Sequence, residues 1–423
     1  MIDSDVIFDV IVIGGGPAGM LAAGQVALKG KSVLLLEKME RLGCKLRITG
    51  KGRCNLTNDA TIEDFIRHFG KGGNFLKPAF YNFFVKELRE FLNQIGIVTI
   101  VERGKRVFPE CDSAPAVTEA LIRWLGNTGA QIQTNHRVTK LEIQNAKIKG
   151  VQAATPQGNK SFACKTVILC TGGMGYPLTG STGDGYRLAI EAGHSIIPLQ
   201  PALIPLVTAG NIAQRLQGLS LKNVKASLLV NGKKQAEEFG EMLFTHFGLS
   251  GPIILTLSGK VVIAVEQKAK VEITLDLKPA LDQQKLETRL LREFQQHGKQ
   301  QYHTLLKSLL PAKLIPVGID ETGIPRKKLA SSITSSERQR LRNWLKDFRF
   351  TIIGVRPIAE AIITAGGIDL KEVNPRTMES RLIKGLFFAG EILDINADTG
   401  GYNLQAAFST GYLAGISAAK IAQ

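Results

Sequence analysis

The two ends of this 423-residue chain each carry part of a nucleotide-binding architecture. At the start, the apolar run from Phe8 to Ile13 leads into Gly14-Gly15-Gly16-Pro17-Ala18-Gly19, a helical stretch from Pro17 to Leu28, and a second strand from Ser32 to Leu36 that ends at Glu37. At the finish, Leu386-Phe387-Phe388-Ala389-Gly390-Glu391 precedes Gly400-Gly401-Tyr402-Asn403-Leu404 and another helical stretch. Together they imply one α/β domain of Rossmann type, interrupted by a long insertion. In such a turn the first glycine, Gly14, permits the tight bend, Gly16 lets backbone approach a pyrophosphate, and Gly19 packs helix against strand. The helix amino terminus at Pro17 and Ala18 then faces the phosphates. Glu37 stands where an acidic side chain hydrogen-bonds ribose hydroxyls and disfavours a 2'-phosphate, with Lys38 beside it. A purely structural glycine loop is the competing reading, and the ordered succession of strand, turn, helix and acid weighs against it.

Between these ends the pattern changes several times. Asn74 to Ile95 and Ala114 to Gly126 have apolar residues at helical spacing. Alternating runs from Gln131 to Ala163 read as a small antiparallel meander, and Thr166 to Cys170 as a buried strand returning to the sheet. From Ser195 to Asp276 short β-rich segments separated by turns predict an inserted β domain. From Leu277 leucines recur at three- and four-residue intervals, which predicts a helical insertion. The expected organisation is therefore 1–194 for the first part of the nucleotide domain, 195–276 for the β insertion, 277–348 for the helical insertion and 349–423 for the return.

Composition narrows the function. The five cysteines are odd in number and lack CxxC spacing, so neither a disulfide framework nor a metal site is expected, and a reducing compartment fits. The apolar stretch from Val10 to Leu28 is long enough to imitate a membrane span, but its five glycines and proline read as a nucleotide fold. The residues before it are acidic rather than basic, unlike a secretion leader; a cytoplasmic protein without a membrane partner is expected. The net charge of +16 favours polyanionic partners. Residues 41–58 carry Arg41, Lys45, Arg47, Lys51 and Arg53 with no acid, and residues 276–350 hold 15 basic against 8 acidic side chains. Solubility, or attraction to cofactor phosphates, is the plainer explanation, and nucleic-acid binding weighs equally with it.

Several segments point to a particular cofactor. Val167-Ile168-Leu169-Cys170-Thr171-Gly172-Gly173 resembles the strand-then-Thr-Gly element of FAD-dependent oxidoreductases, and Thr182-Gly183-Asp184-Gly185 resembles a turn of fumarate-reductase-like flavoproteins. The segment Gly43-Cys44-Lys45-Leu46-Arg47-Ile48-Thr49-Gly50-Lys51-Gly52-Arg53-Cys54-Asn55-Leu56-Thr57-Asn58 is similar to the KLxxSGxGRCNxTN motif of the YhiN/BaiN-like flavoprotein family. So are Leu243 to Pro252, Thr364-Ala365-Gly366-Gly367, and Gly390-Glu391-Ile392-Leu393-Asp394 with Gly401 to Gln405. The likeness runs over nearly the whole chain. It departs at Thr49, where serine is usual and the hydroxyl is kept, and at Cys44, where a basic residue is common.

The resemblance implies an FAD domain with a β-barrel-like insertion and a small helical insertion. It places Lys45, Thr49, Gly50, Arg53, Cys54, Asn55, Thr171, Gly172, Gly173, Gly390, Glu391, Gly401, Tyr402, Asn403 and Leu404 at the cofactor, with Gly390 and Glu391 at the ribityl chain. The helix from Asn403 would turn its positive end to the flavin pyrimidine. Reactions within the family include saturation of carbon-carbon double bonds in steroid-like molecules, oxidation of amino ketones, and dihydrouridine formation in ribosomal RNA. Substrate is thus a small molecule or ribosomal RNA, and a basic surface favours the RNA. An RNA-binding protein with a structural flavin is the alternative of another class. No second dinucleotide turn occurs, so NAD(P)H is expected only as a transient electron donor. Cys54 and His246 are the candidate catalytic groups. For Cys54, proton donation competes with simple packing and packing is favoured; for His246, orienting substrate or acid catalysis competes with bracing its loop, and the structural role is favoured. Tyr402 either lines the flavin or packs in the core.

Overall fold

The computed structural model describes residues 6–422. The chain forms two compact units: one runs to Pro201 and resumes at Ile358, and the other is Ala202–Pro357.

The first unit is built on a seven-stranded sheet. Its centre is β1 (Ile7–Ile13), flanked in parallel by β2 (Val33–Leu36), which in turn pairs with β3 (Gln131–Gln133). Val10, Ile11 and Val12 are wholly buried, as expected of a parallel strand covered on both faces. Of the antiparallel meander predicted from Gln131 to Ala163, Gln131–Gln133 is instead the parallel strand β3, and the meander comprises β4 (Arg137–Gln144), β5 (Lys147–Thr155) and the first half of β6 (Gly158–Leu169). The second half of β6 is parallel to β1 on one side and, on the other, to β7 (Leu386–Phe388), so Val12, Ile168 and Phe387 are in register across three strands. One continuous strand thus joins the meander to the nucleotide sheet, and β7 brings the carboxy-terminal segment back to its centre.

Two helices complete the nucleotide core. Helix α1 (Pro17–Leu28) and the terminal helix α2 (Tyr402–Ile421) pack against each other along small residues. A Cβ on Gly411 would lie 2.3 Å from the Ala18 carbonyl oxygen, and one on Gly415 would lie 2.6 Å from that of Ala22. Glycine at these positions lets the backbones of the two chain ends touch.

The second unit contains a closed antiparallel barrel, in the order Leu206–Thr208, Gly248–Ser250, Lys233–Phe244, Ser220–Val230, Val271–Asp276 and Phe348–Val355. Three features differ from the organisation read from sequence. Phe348–Val355 closes the barrel between the first and fifth of these strands rather than beginning the return to the nucleotide domain. The helices Gln283–Gln296, Leu314–Thr322 and Ser335–Lys346 share one apolar core with the barrel strands, so barrel and helices are a single unit. The stretch Pro252–Glu266 is a helix within the segment read as β-rich; Ile253, Ile254, Leu257 and Val261 are buried against the barrel. Its branched apolar residues imitate a buried strand when read by composition. At the leading boundary, Ile196–Ala202 pairs with Ile363–Ile368, which keeps residues 195–201 in the first unit.

Candidate functional site

The turn between β1 and α1 divides its glycines by task. Gly14 has φ +102°, and a Cβ there would meet the Cys170 carbonyl oxygen at 2.5 Å. A Cβ on Gly19 would lie only 1.9 Å from the Gly14 carbonyl oxygen. These two are required by the protein itself. Gly16 has φ −76° and ψ −177°, open to any residue, and a Cβ there would meet no protein atom within 4 Å. The fold therefore places no demand for glycine at Gly16; the open space lies over the helix terminus, where Pro17 occupies the first position.

Beside this space, Glu37 accepts hydrogen bonds from the Gly15 amide (2.6 Å) and the Met39 amide (2.8 Å), which fixes its carboxylate at the end of β2. Lys38 is committed elsewhere: it binds Asp184 at 2.7 Å and donates to the Thr182 hydroxyl at 2.5 Å. It ties the Thr182-Gly183-Asp184-Gly185 turn to the sheet rather than reaching toward phosphates, and with Arg137 it holds the Asp184 carboxyl down at about 2 against the opposing effect of burial. After β6, the buried Thr171 hydroxyl has no hydrogen-bond partner. An unpaired buried hydroxyl is costly unless a ligand satisfies it. The hydroxyl faces Gly185, where a Cβ would stand 1.9 Å from it, and the Thr171 Cα lies 3.1 Å from where a Gly14 Cβ would stand.

The carboxy-terminal segment meets this turn directly. The Gly390 amide donates to the Thr410 hydroxyl at 2.9 Å, and a Cβ on Gly390 would stand 3.1 Å from that of Ala18. Glu391 accepts from Lys45 Nζ at 2.8 and 3.1 Å and from the Thr364 amide at 2.9 Å. Gly173 lies against both: a Cβ there would stand 2.4 Å from the Thr364 hydroxyl and 2.9 Å from Glu391 Oε1. Gly172, with φ +71°, turns the chain between Thr171 and this contact. Three segments widely separated in sequence thus converge on Glu391. Thr364 and Thr410 were not singled out from sequence as site residues; Thr364 lay in a motif that was, and the Gly411-xxx-Gly415 spacing was the visible sign that α2 approaches α1.

The glycine-rich segment from Gly43 is different. Gly50, Lys51, Gly52 and Cys54 all have positive φ, so the backbone is coiled tightly between Thr49 and Asn55. Most of its side chains are engaged within the protein. Arg53 binds Glu102 at 2.5 Å and Asp112 at 2.7 Å and lies over the Phe108 ring at 4.2 Å, and these carboxylates raise the basicity of its guanidinium. The Thr49 hydroxyl donates to the Leu46 carbonyl at 2.7 Å. With its amide oriented to satisfy both ends, Asn55 accepts from the Gly401 amide at 3.0 Å and donates to Thr57 and Val107 carbonyls. Arg53, Thr49 and Asn55, expected as cofactor contacts, therefore spend their side chains bracing the segment and docking it on the start of α2.

Cys54 is wholly buried, 3.5 Å from the Thr49 hydroxyl, and burial pushes its thiol up to about 12. That favours the packing reading over a proton donor. At the start of α2, Asn403 accepts from the Ala397 amide at 2.8 Å and donates to the Ala397 carbonyl at 2.9 Å, so its side chain closes the preceding loop instead of facing a ligand. Tyr402 is 7% exposed, stacked on His68 with ring centroids 4.0 Å apart and edge-on to Phe65, which is core packing. Leu404 is partly buried against the same core. The amides of Tyr402, Asn403 and Leu404 belong to the first helical turn, beyond intrahelical pairing. His246 belongs to the second unit, exposed and edge-on to Phe247. Its turn is held by Thr245, whose hydroxyl bonds both the amide and carbonyl of Gly248, with the His246 ring against Phe247.

Among the described residues no group of His, Cys, Asp and Glu is arranged to hold a metal ion, and no helix is long and apolar enough to cross a membrane. The residues fit a dinucleotide: the space over Gly16, the anchored carboxylate of Glu37 and the unsatisfied Thr171 hydroxyl lie at one end of the sheet.

A Rossmann sheet closed by a carboxy-terminal Gly-Glu turn defines the class, an FAD-dependent oxidoreductase. Residues 8–417 match the HI0933-like protein Rossmann domain, and the chain belongs to that family. It is 32% identical to the 3-dehydro-bile acid delta(4,6)-reductase of Clostridium scindens, over 97% of this chain and 98% of that protein. It is 31% identical to the ribosomal RNA dihydrouridine synthase of Haemophilus influenzae, again over 97% and 98%. Among solved structures, a flavocytochrome c3 fumarate reductase shares the fold with a TM-score of 0.54 at 19% identity, covering 99% of this chain and 79% of that one. A 3-ketosteroid delta1-dehydrogenase from Sterolibacterium denitrificans does so with a TM-score of 0.55 at 12% identity, covering 98% and 99%.

Proposed function

We propose that this enzyme reduces the carbon-carbon double bond of uridine in ribosomal RNA, with NAD(P)H as electron donor. Saturation of a double bond is the chemistry common to the names of both full-length relatives. In this reading the FAD pyrophosphate lies over Gly16 and the amides following it, the adenosine ribose against Glu37, and the ribityl chain beside Gly390 and Glu391. Bound FAD supplies the hydride. Lys45 and the Thr364 amide hold the Glu391 carboxylate in one orientation. In this reading Cys54 is not the proton donor, because its thiol is wholly buried and burial makes it a weak acid.

Charge distribution carries the choice of RNA over a small apolar substrate. The unit Ala202–Pro357 contains 24 basic and 13 acidic residues, a surplus of 11 out of the chain's 16. A steroid-like substrate gives such a surplus no use, whereas phosphates attract it whatever the base sequence. The test is the dihydrouridine content of ribosomal RNA from cells with and without the gene. Loss of dihydrouridine in the deleted strain is expected; equal content in both strains removes the RNA reading. Turnover of an unsaturated bile acid by the purified protein would then assign the same reduction to a small molecule, which the 32% identical relative favours.

A further inference from the structure

Most cations of the helical part of the second unit have local partners. Lys328 binds Glu337 at 2.7 Å, Arg338 and Arg342 bind Glu287 at 2.6 and 3.2 Å, and Lys346 binds Asp276 at 2.6 Å. These pairs serve the fold. Lys299, Lys307, Arg326 and Lys327 are exposed, and none is within salt-bridge distance of a carboxylate among the described residues.

Backbone pairing gathers these four. The Tyr302 amide donates to the Lys328 carbonyl at 2.8 Å, the His303 amide to the Arg326 carbonyl at 3.2 Å, and the Ala330 amide to the Gln300 carbonyl at 2.9 Å. Gln301 and Leu329 form an antiparallel bridge. The stretch 299–303 therefore lies along 326–330, with Lys299 at one end, Arg326 and Lys327 at the other, and Lys307 one helical turn beyond His303. His303 sits within the ledge with Nδ1 toward the Arg326 carbonyl at 3.3 Å. The acid at its margin, Glu293, is already engaged by the Ser308 hydroxyl at 3.2 Å and approached by Arg289 and His297 at 3.9 Å. Gln300, exposed on the same stretch, has its amide nitrogen 3.3 Å from His297 Nδ1.

We propose that this ledge binds the phosphates of the RNA substrate, an inference that rests on the RNA reading of the function. Four exposed cations without carboxylate partners, three on the two paired segments and Lys307 one turn beyond, have the chemistry of a sequence-independent backbone contact. Such a surface positions RNA and leaves base recognition to the flavin site.

The test compares two variants of the full-length, FAD-loaded protein. One carries Lys299→Gln, Lys307→Gln, Arg326→Gln and Lys327→Gln. The other removes the same charge from exposed lysines elsewhere in the unit, through Lys222→Gln, Lys233→Gln, Lys260→Gln and Lys268→Gln. Affinity for protein-free ribosomal RNA and for polyuridylate is measured across a salt series. The ledge variant is expected to bind about tenfold or more weakly, with the slope of log affinity against log salt reduced by about three. The second variant should lose less than about threefold, and flavin content should be unchanged in both. Equal weakening in the two variants would mean that affinity follows net charge, and undiminished binding by the ledge variant would mean that phosphates dock elsewhere; either overturns the proposal. Failure of the unaltered protein to bind RNA would overturn it as well. Cellular dihydrouridine content judges the uridine reading separately, since a diffuse or relocated contact leaves that content dependent on the gene.

Discussion

The turn Gly14–Gly19 and the segment Gly43–Asn58 are both rich in glycine, and both belong to the nucleotide-binding unit, yet they spend their side chains differently. In the first, Gly14 and Gly19 serve the close approach of backbone to backbone, while Gly16 borders empty space and the neighbouring Thr171 hydroxyl lacks a partner. In the second, most side chains brace the positive-φ coil, Arg53 on Glu102 and Asp112, Thr49 on Leu46 and Asn55 on Gly401, while the buried Arg47 Nε and Thr57 hydroxyl lack partners and a Cβ on Gly52 would meet nothing within 4 Å. A dense motif can thus be scaffold over most of its length. Unfilled space and unsatisfied polarity are few in folded proteins, and both segments keep some of each. The one side chain of the second segment that reaches the first unit's converging end is Lys45, through Glu391.

This comparison can be broken by substitution. The largest effect is expected from Gly19→Val, which drives a branched side chain into the Gly14 carbonyl 1.9 Å away; loss of about 3 kcal/mol or more should appear in urea unfolding, and a stable variant would refute the assigned close approach. Glu37→Ala should weaken FAD retention by about 1–3 kcal/mol, read by flavin release on dilution, through loss of charge-assisted hydrogen bonds. Unchanged retention would detach Glu37 from the ribose. Arg53→Ala, at a partly exposed ion-pair network, should lower unfolding stability by about 1 kcal/mol with normal flavin content; loss of flavin without loss of stability would restore Arg53 as a cofactor contact. The smallest effect is expected from Cys54→Ala. Turnover should stay within about threefold of the parent, because a buried thiol held near 12 is a poor acid at neutral pH. A hundredfold drop would return Cys54 to catalysis.

Much of the nucleotide core was legible because its signals are local. Strand Phe8–Ile13, helix Pro17–Leu28 and the acid at Glu37 follow one another within a single βαβ unit, and the structure places them within a residue of expectation. The meeting of the two ends was legible from paired motifs; the partners of Gly411 and Gly415, the Ala18 and Ala22 backbone of α1, were not. The fates of Arg53, Asn403 and Tyr402 were hidden because they depend on partners distant in sequence or on loop closure: Glu102 and Asp112 for the arginine, Ala397 for the amide, His68 and Phe65 for the ring. Helix Pro252–Glu266 was hidden for another reason. It is apolar nearly all round, so it has no polar face to betray a helical period.

The central claim is that the first and last segments of the chain enclose one FAD, with its pyrophosphate over Gly16. The most direct measurement is the flavin absorbance of purified Gly16→Val beside the parent and Arg53→Ala, each confirmed folded by its unfolding transition. Because a Cβ at Gly16 meets no protein atom within 4 Å, the account predicts a folded, colourless Gly16→Val protein that does not recover flavin on addition of FAD, beside two yellow ones. A folded Gly16→Val protein with a full complement of FAD would contradict it.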